Sequence, residues 1–262
     1  MCLLLVAIGA RPAWPLLLLG NRDEFHARPS VAAAPWPEAG HILGGRDEVA
    51  GGSWLALATD GRFAAVTNVR RGVPERGRHS RGVLVADFVQ ASTAPEAWLA
   101  SLARRADDYA PFNLLVGDRR SVWSFEGPTR QAQRLAAGLH VLSNGPLDAP
   151  WPKMRRLRGG VEASLADHDV DAQRLLALLA DESRPADAEL PDTGIGLERE
   201  RFLASVFIRG EAYGTRASTF VALAADGGVQ FRERRFGPQG APLGEDAWQL
   251  AGGRWRRRPA AS

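Results

Sequence analysis

The chain has little cysteine: Cys2 is its single one in 262 residues. No internal disulfide can form, so a cross-linked secreted scaffold is excluded and a reducing cytoplasm is the expected setting. Lysine is almost absent too, with Lys153 standing alone among 33 basic residues. The remaining cations are arginines scattered along the chain, and 30 acids leave a net charge of only +3. Dispersed arginine reads as solvated surface, so no nucleic-acid partner is expected. No apolar run approaches the ~18 residues of a membrane span, so stable membrane insertion is not expected either. The opening Met1-Cys2-Leu3-Leu4-Leu5-Val6-Ala7-Ile8-Gly9 lacks the basic start of a signal peptide, and Arg11-Pro12 cut it short. Residues 2–9 therefore predict a buried strand.

What the chain does have is a globular composition: 45% hydrophobic and 24% charged residues, enough for one large core. Apolar runs at 2–9 and 16–19 predict a first hairpin, ended by Gly20-Asn21. Further hairpins are expected at 53–60 with 62–68, at 113–117 with 121–125, and at 219–224 with 229–234, each around a turn-forming Asp/Gly or Asp/Arg segment. Another strand is expected at 139–142. Helices are expected at 83–91, after a Thr93 cap with Pro95 in the first turn, at 153–165 (weakened by Gly159-Gly160), at 172–181 and at 198–206. The order is strands, two helices, strands, two helices, strands. It argues for antiparallel sheets with helix layers outside, and against a parallel doubly wound sheet. No linker divides the chain, so residues 1–262 are expected to be one domain with a frayed basic tail over 254–262.

Several segments could carry chemistry. Removal of Met1 would leave Cys2 with an α-amine and a thiol on one residue. The amine titrates near ~7.7–8.0, so it can take the thiol's proton. The plain alternative is a small buried residue in a strand. Asn21-Arg22-Asp23-Glu24 follows the second apolar run, and strand alternation puts Arg22 and Glu24 on one face with Asp23 on the other. Asn68 and Asn144 each end a strand, where an amide can turn a chain or hold an oxyanion. Gly214-Thr215-Arg216-Ala217-Ser218-Thr219 sets an arginine among small polar residues before a strand. His26, His41, His79, His140 and His168 show no metal-ligand spacing, so no metal is expected. Trp36, in a proline-flanked stretch, and His26 are the expected pocket walls.

Taken in order, Met1-Cys2, Asn21-Arg22-Asp23-Glu24, Thr67-Asn68, Ser143-Asn144-Gly145-Pro146 and residues 214–219 resemble the NRDE-motif family, also called the transport and Golgi organisation protein 2 family. The resemblance runs from Met1 to about Phe236. That family in turn resembles the choloylglycine hydrolases and penicillin V acylases. It implies an α+β, four-layer αββα fold of the N-terminal-nucleophile hydrolase type. The site it implies comprises Cys2, Arg22, Asp23 or Glu24, Asn68, Asn144 and Arg216. The activity implied is hydrolysis of a linear, non-peptide C–N bond in a small amide or N-acyl compound, through an acyl-enzyme and without a cofactor. The alternative is a non-catalytic carrier that holds haem or an acyl-CoA-like lipid in the same pocket.

Overall fold

Two continuous apolar runs around a short turn have nowhere to go except between two covering layers. In the computed structural model, which describes residues 2–73, 75–167 and 169–259, they form the centre of a sheet: β1 (Cys2–Ile8) and β2 (Leu16–Phe25). The chain continues through β3 (Ser30–Trp36), β4 (Ala39–Asp47), β5 (Leu55–Ala58) and β6 (Phe63–Asn68). Helices α1 (Gly82–Gln90) and α2 (Pro95–Ala103) follow, then β7 (Phe112–Gly117), β8 (Val122–Glu126), β9 (Gln131–Arg134) and β10 (Gly138–Leu142). Helices α3 (Pro152–Asp167), α4 (Ala172–Leu178) and the short α5 (Leu197–Phe202) lead to β11 (Tyr213–Leu223), β12 (Val229–Phe236), β13 (Pro242–Ala251) and β14 (Arg254–Arg258).

The strands make two seven-stranded sheets, in the orders β10-β1-β2-β11-β12-β13-β14 and β3-β4-β5-β6-β7-β8-β9. Every neighbouring pair is antiparallel. Alternation along the strands produces three apolar layers. Leu4, Val6 and Leu18 of the first sheet meet Leu43, Leu57 and Phe63 of the second. Leu3, Leu5, Leu17 and Leu19 point the other way, against Leu157, Val161, Leu175 and Leu176 of α3 and α4. Ala56, Ala64 and Leu114 pack on Leu84, Phe88 and Leu99 of α1 and α2. The result is the expected αββα sandwich.

The structure corrects several boundaries. β2 does not stop at Gly20-Asn21 but carries the polar motif through Phe25. It is a central strand, so β1 and β11 satisfy its backbone on both sides. Its polar side chains find buried partners: Asn21 Nδ2 donates to Leu179 O and Val206 O, and Ser218 Oγ donates to Asn21 Oδ1. The hairpin β3–β4 is hidden in the sequence by Pro29, Pro35 and Pro37. Pro35 is tolerated because β3 is an edge strand. Thr93 does not cap α2; the cap position is Ala94, with no side-chain bond, and Pro95 opens the helix. α3 runs unbroken through Gly159-Gly160, where a Cβ on Gly160 would come within 3.0 Å of Leu178 on α4. The glycine serves helix approach rather than helix ending.

The segment 214–218 lies inside β11 rather than ahead of it, with a bulge between Thr215 and Ala217. The tail expected to fray is a strand over Arg254–Arg258, with Trp255 Nε1 donating to His41 O. Its arginines line a sheet edge, where charge discourages pairing with other chains. Residues 260–262, Met1 and His168 lie outside the described residues.

One cap is testable in isolation. Asp171 accepts hydrogen bonds from the backbone N–H groups of Gln173 and Arg174 at the start of α4. Asp171→Ala is expected to cost about 1 kcal/mol, read from the urea midpoint with the slope unchanged.

Candidate active site

Antiparallel pairing brings the first residue of β1 to the polar end of β2, with Cys2 directly opposite Arg22. Cys2 is half-buried. Burial pushes its thiol up, the neighbouring Asp23 charge adds to that, and Arg22 together with the Asp23 backbone N–H pulls it down. Arg22 is itself buried, stacked at 4.3 Å over the Trp54 ring and 3.8 Å from Asp47. Ser143 Oγ donates to Cys2 O at 3.1 Å and fixes the strand start to the residue before Asn144.

Of the two acids, Asp23 is the one enclosed with this group. It is 1% exposed, and its Oδ1 accepts from Thr215 Oγ1 at 2.7 Å. Tyr213 Oη donates to its backbone oxygen at 3.0 Å. Burial raises its carboxyl, while Lys153 and Arg70 draw it back down. Glu24 stays half-exposed and accepts from the N–H of Phe25. Strand alternation puts Glu24 on the Arg22 face, but Lys153, Arg70 and the Thr215 hydroxyl sit on the Asp23 side.

The two asparagines join the sheets at this end. Asn144 is fully buried, and its Nδ2 donates to both Asn68 O and Asn68 Oδ1 at 3.0 Å. Asn144 O accepts from Arg70 N at 2.7 Å. Asn113 Nδ2 donates to Gly145 O at 2.8 Å, and Thr67 Oγ1 donates to Ser143 O at 2.5 Å. Asn68 lines a cleft of about 560 Å³; Asn144 lies behind it and orients it.

Three expected site residues do not line this cleft. Arg216, at the β11 bulge, donates to Phe25 O and Arg28 O, and with Arg22, Trp54 and Glu233 it lines a separate cavity of about 100 Å³. Trp36 is 2% exposed in the layer beneath α1 and α2, with Nε1 donating to Gly44 O at 3.0 Å. It is core rather than a pocket wall: the prolines around it bracket an edge strand, not an open loop. His26 is half-buried past the end of β2, beside Arg216, and its imidazole is held below the usual range by burial and by that arginine. Its neighbours Glu24 and Phe25 line the cleft in its place.

The cleft has a mixed wall. Arg70, Arg71, Arg81 and Arg199 supply cations, Glu24 and Glu75 supply acids, with Glu75 paired to Arg71 at 3.5 Å, and Phe25, Val69, Ile195, Phe202 and Tyr213 supply apolar surface. Arg81 and Tyr213 are within electrostatic reach of Cys2. Arg70 is anchored by a buried ion pair to Glu200 at 2.5 Å, which also accepts from Thr193 N and Oγ1. Sequence reading missed Arg70, Arg81 and Glu200, because nothing distinguishes them from surface charges in an arginine-rich chain. A similar cavity, about 570 Å³, opens at the opposite end between Leu16, Val122, Arg134 and Leu223 and holds none of these groups. Among the described residues, no group of three His, Cys, Asp or Glu side chains could hold a metal ion, and no helix is long and apolar enough to cross a membrane.

Glu233 is 1% exposed and accepts from Ala33 N–H at 2.9 Å. Burial pushes its carboxyl up to about 7. Its folded pKa lies above its unfolded value near ~4.3, so between these values the native state binds the extra proton and stability falls as pH rises. The loss is expected to reach roughly 3 kcal/mol above pH 8. Glu233→Gln should flatten that part of the stability profile, measured by urea unfolding at pH 5, 7 and 8.5.

Two seven-stranded antiparallel sheets between helix layers, with a cysteine opening a central strand, define the N-terminal-nucleophile hydrolase class of fold. The solved structures agree. The C2A mutant of the conjugated bile acid hydrolase from Clostridium perfringens superposes with a TM-score of 0.57 and 9% identity, over 100% of this chain and 97% of that one. A second variant of the same enzyme gives 0.55 and 9%, over 99% and 97%. Residues 1–238 match the family Transport and Golgi organisation 2, and the chain belongs to that family. The Transport and Golgi organization protein 2 homolog of Bos taurus is 32% identical over 259 residues, covering 89% of this chain and 92% of the relative. The Drosophila melanogaster protein is 27% identical over 263 residues, covering 89% and 91%.

Proposed function

We propose that this protein is an amidohydrolase that cleaves a linear, non-peptide C–N bond of a small amide or N-acyl compound, with Cys2 as nucleophile. The observation that carries the reading is the meeting of Cys2, Arg22 and Asp23 with the Asn68–Asn144 pair at one end of the sandwich, in a fold shared with a bile acid hydrolase. With Met1 removed, the α-amine takes the thiol proton and Sγ attacks the carbonyl carbon. Asn68 donates to the developing oxyanion, oriented by Asn144. The C–N bond then breaks, the amine leaves with the proton, and water cleaves the thioester. Arg22 favours the thiolate, and Asp23 balances the ammonium. The cleft arginines and apolar wall suit a substrate with an anionic group and an apolar acyl part.

The test is release of p-nitroaniline from N-acyl p-nitroanilides that differ in acyl length and in a terminal carboxylate. Turnover should be greatest for acyl chains carrying the carboxylate, and Cys2→Ser should hydrolyse far more slowly, since a hydroxyl is the weaker nucleophile. Ligand binding that survives Cys2→Ala, with no turnover in the wild type, would favour the carrier of haem or an acyl-CoA-like lipid instead.

A further inference from the structure

Arg22 and Glu233 are both buried, 6% and 1% exposed, and both line the cavity of about 100 Å³ beside Trp54. Register brings them together. Arg22 pairs with Ala217, Ala217 pairs with Arg235, and Glu233 lies two residues before Arg235, so all four share one face of the sheet. Arg216 joins them from the bulge in β11. The described residues do not fill the hydrogen-bonding capacity of these groups. Arg22 makes no side-chain hydrogen bond among them: it stacks on Trp54 and lies 3.8 Å from Asp47, beyond bonding distance. Asp47 is taken up by Arg28 and by the N–H groups of Val49 and Ala50. Arg216 commits one amino group, to Phe25 O and Arg28 O. Glu233 accepts from Ala33 N–H through one oxygen, and its other oxygen has no partner among the described residues.

Two guanidiniums at one cavity repel each other, and burial together with the Arg22 charge holds Arg216 below its usual range. An anion between them removes that repulsion. We propose that this cavity binds a small monovalent carboxylate, of formate or acetate size, held by Arg22, Arg216 and the Glu233 carboxyl. A guanidinium presents paired N–H groups that match two carboxylate oxygens. The volume admits an ion of about three or four heavy atoms, not an N-acyl chain, and the cleft arginines Arg70, Arg71, Arg81 and Arg199 take no part in it. Glu233 contributes as the neutral acid, whose O–H donates to the anion; ionised, it would repel it. The charged groups facing Glu233 are Arg22 of β2, Arg216 of β11, Arg235 of β12 and Asp246 of β13, and Asp246 is itself paired with Arg235 and Arg257. Burial brings the Glu233 carboxyl to about 7. Affinity should therefore be full below that pH and fall about tenfold per unit above it.

The experiment is the urea midpoint in rising sodium formate, with sodium gluconate, whose anion is too large for the cavity, holding ionic strength constant. Wild type, Glu233→Gln and Arg216→Leu are compared at pH 6 and 8.5, with near-ultraviolet circular dichroism to confirm folding. A ligand that binds the native state alone raises the midpoint with the logarithm of its concentration once the site begins to fill. The wild type is expected to show that rise at pH 6, with its onset at a formate concentration at least about tenfold higher at pH 8.5. Glu233→Gln keeps a donor that does not titrate, so its onset should be the same at both pH values. Arg216→Leu should show no rise at either. Identical wild-type midpoints in formate and gluconate at pH 6 would overturn the proposal. So would a rise that Arg216→Leu shares, which would place the anion elsewhere. Should Arg216→Leu fail to fold, a wild-type onset that does not move with pH would overturn it on its own.

Discussion

On the proposed mechanism, Cys2→Ala is expected to reduce hydrolysis on the order of 10⁴-fold or more, because the covalent route is lost with its nucleophile. The fold should survive. Cys2 is half-buried at the mouth of a strand, and Ala removes a single heavy atom, so the stability change should stay below about 1 kcal/mol. The contrast between lost turnover and a retained urea midpoint distinguishes a nucleophile from a packing residue. Residual activity within tenfold of wild type would mean that another group attacks.

The second large effect is on stability. Arg70 and Glu200 are both buried and lie 2.5 Å apart, tying the segment after β6 to α5 across the cleft. Arg70→Ala leaves the Glu200 carboxylate enclosed with Thr193 as its remaining hydrogen-bond partner among the described residues. Removing one partner of such a pair costs about 3–5 kcal/mol, most of it the burden of the unpaired charge. Replacing both, as Arg70→Met with Glu200→Leu, should recover much of that loss, since a buried ion pair is no more stabilising than well-packed apolar side chains. Urea unfolding of the two single variants and the double variant checks this: the cycle should be strongly non-additive. Turnover should fall in the double variant even where stability returns, because the Arg70 side chain also lines the cleft and its guanidinium donates to Asn144 Oδ1 at 3.5 Å.

What the sequence disclosed follows from where local pattern and tertiary context agree. The runs 2–9 and 16–19 are apolar on both faces because both faces are covered, and the helix–strand order alone indicates layered antiparallel sheets. The polar half of β2 was illegible as strand because its partners come from distant parts of the chain, at Leu179, Val206 and Ser218. β9, Gln131–Arg134, has no buried residue, and β14 reads as a loose basic tail, so neither edge strand carries an apolar signature.

In the site, Cys2, Arg22, Asn68 and Asn144 were legible as residues that end or begin strands. The choice of acid was not. Alternation correctly assigns the faces of Asp23 and Glu24, but the cations that make Asp23 the enclosed acid come from Arg70 and α3. Trp36 reads as a loop residue because of its flanking prolines but is an edge-strand residue packed beneath α1 and α2, and His26 sits past the end of β2 beside Arg216 rather than in the cleft wall.

A nucleophilic Cys2 must carry the acyl group during turnover. The direct measurement is intact mass of the protein after rapid mixing with an N-acyl p-nitroanilide or an activated acyl ester, with peptide mapping of the adduct. The expected result is a chain whose mature N-terminus is Cys2, gaining one acyl mass on that residue, released by hydroxylamine and missing in Cys2→Ala. Retained Met1 on fully active protein would contradict the α-amine as base. Turnover with no adduct, persisting in Cys2→Ala, would contradict the nucleophile itself.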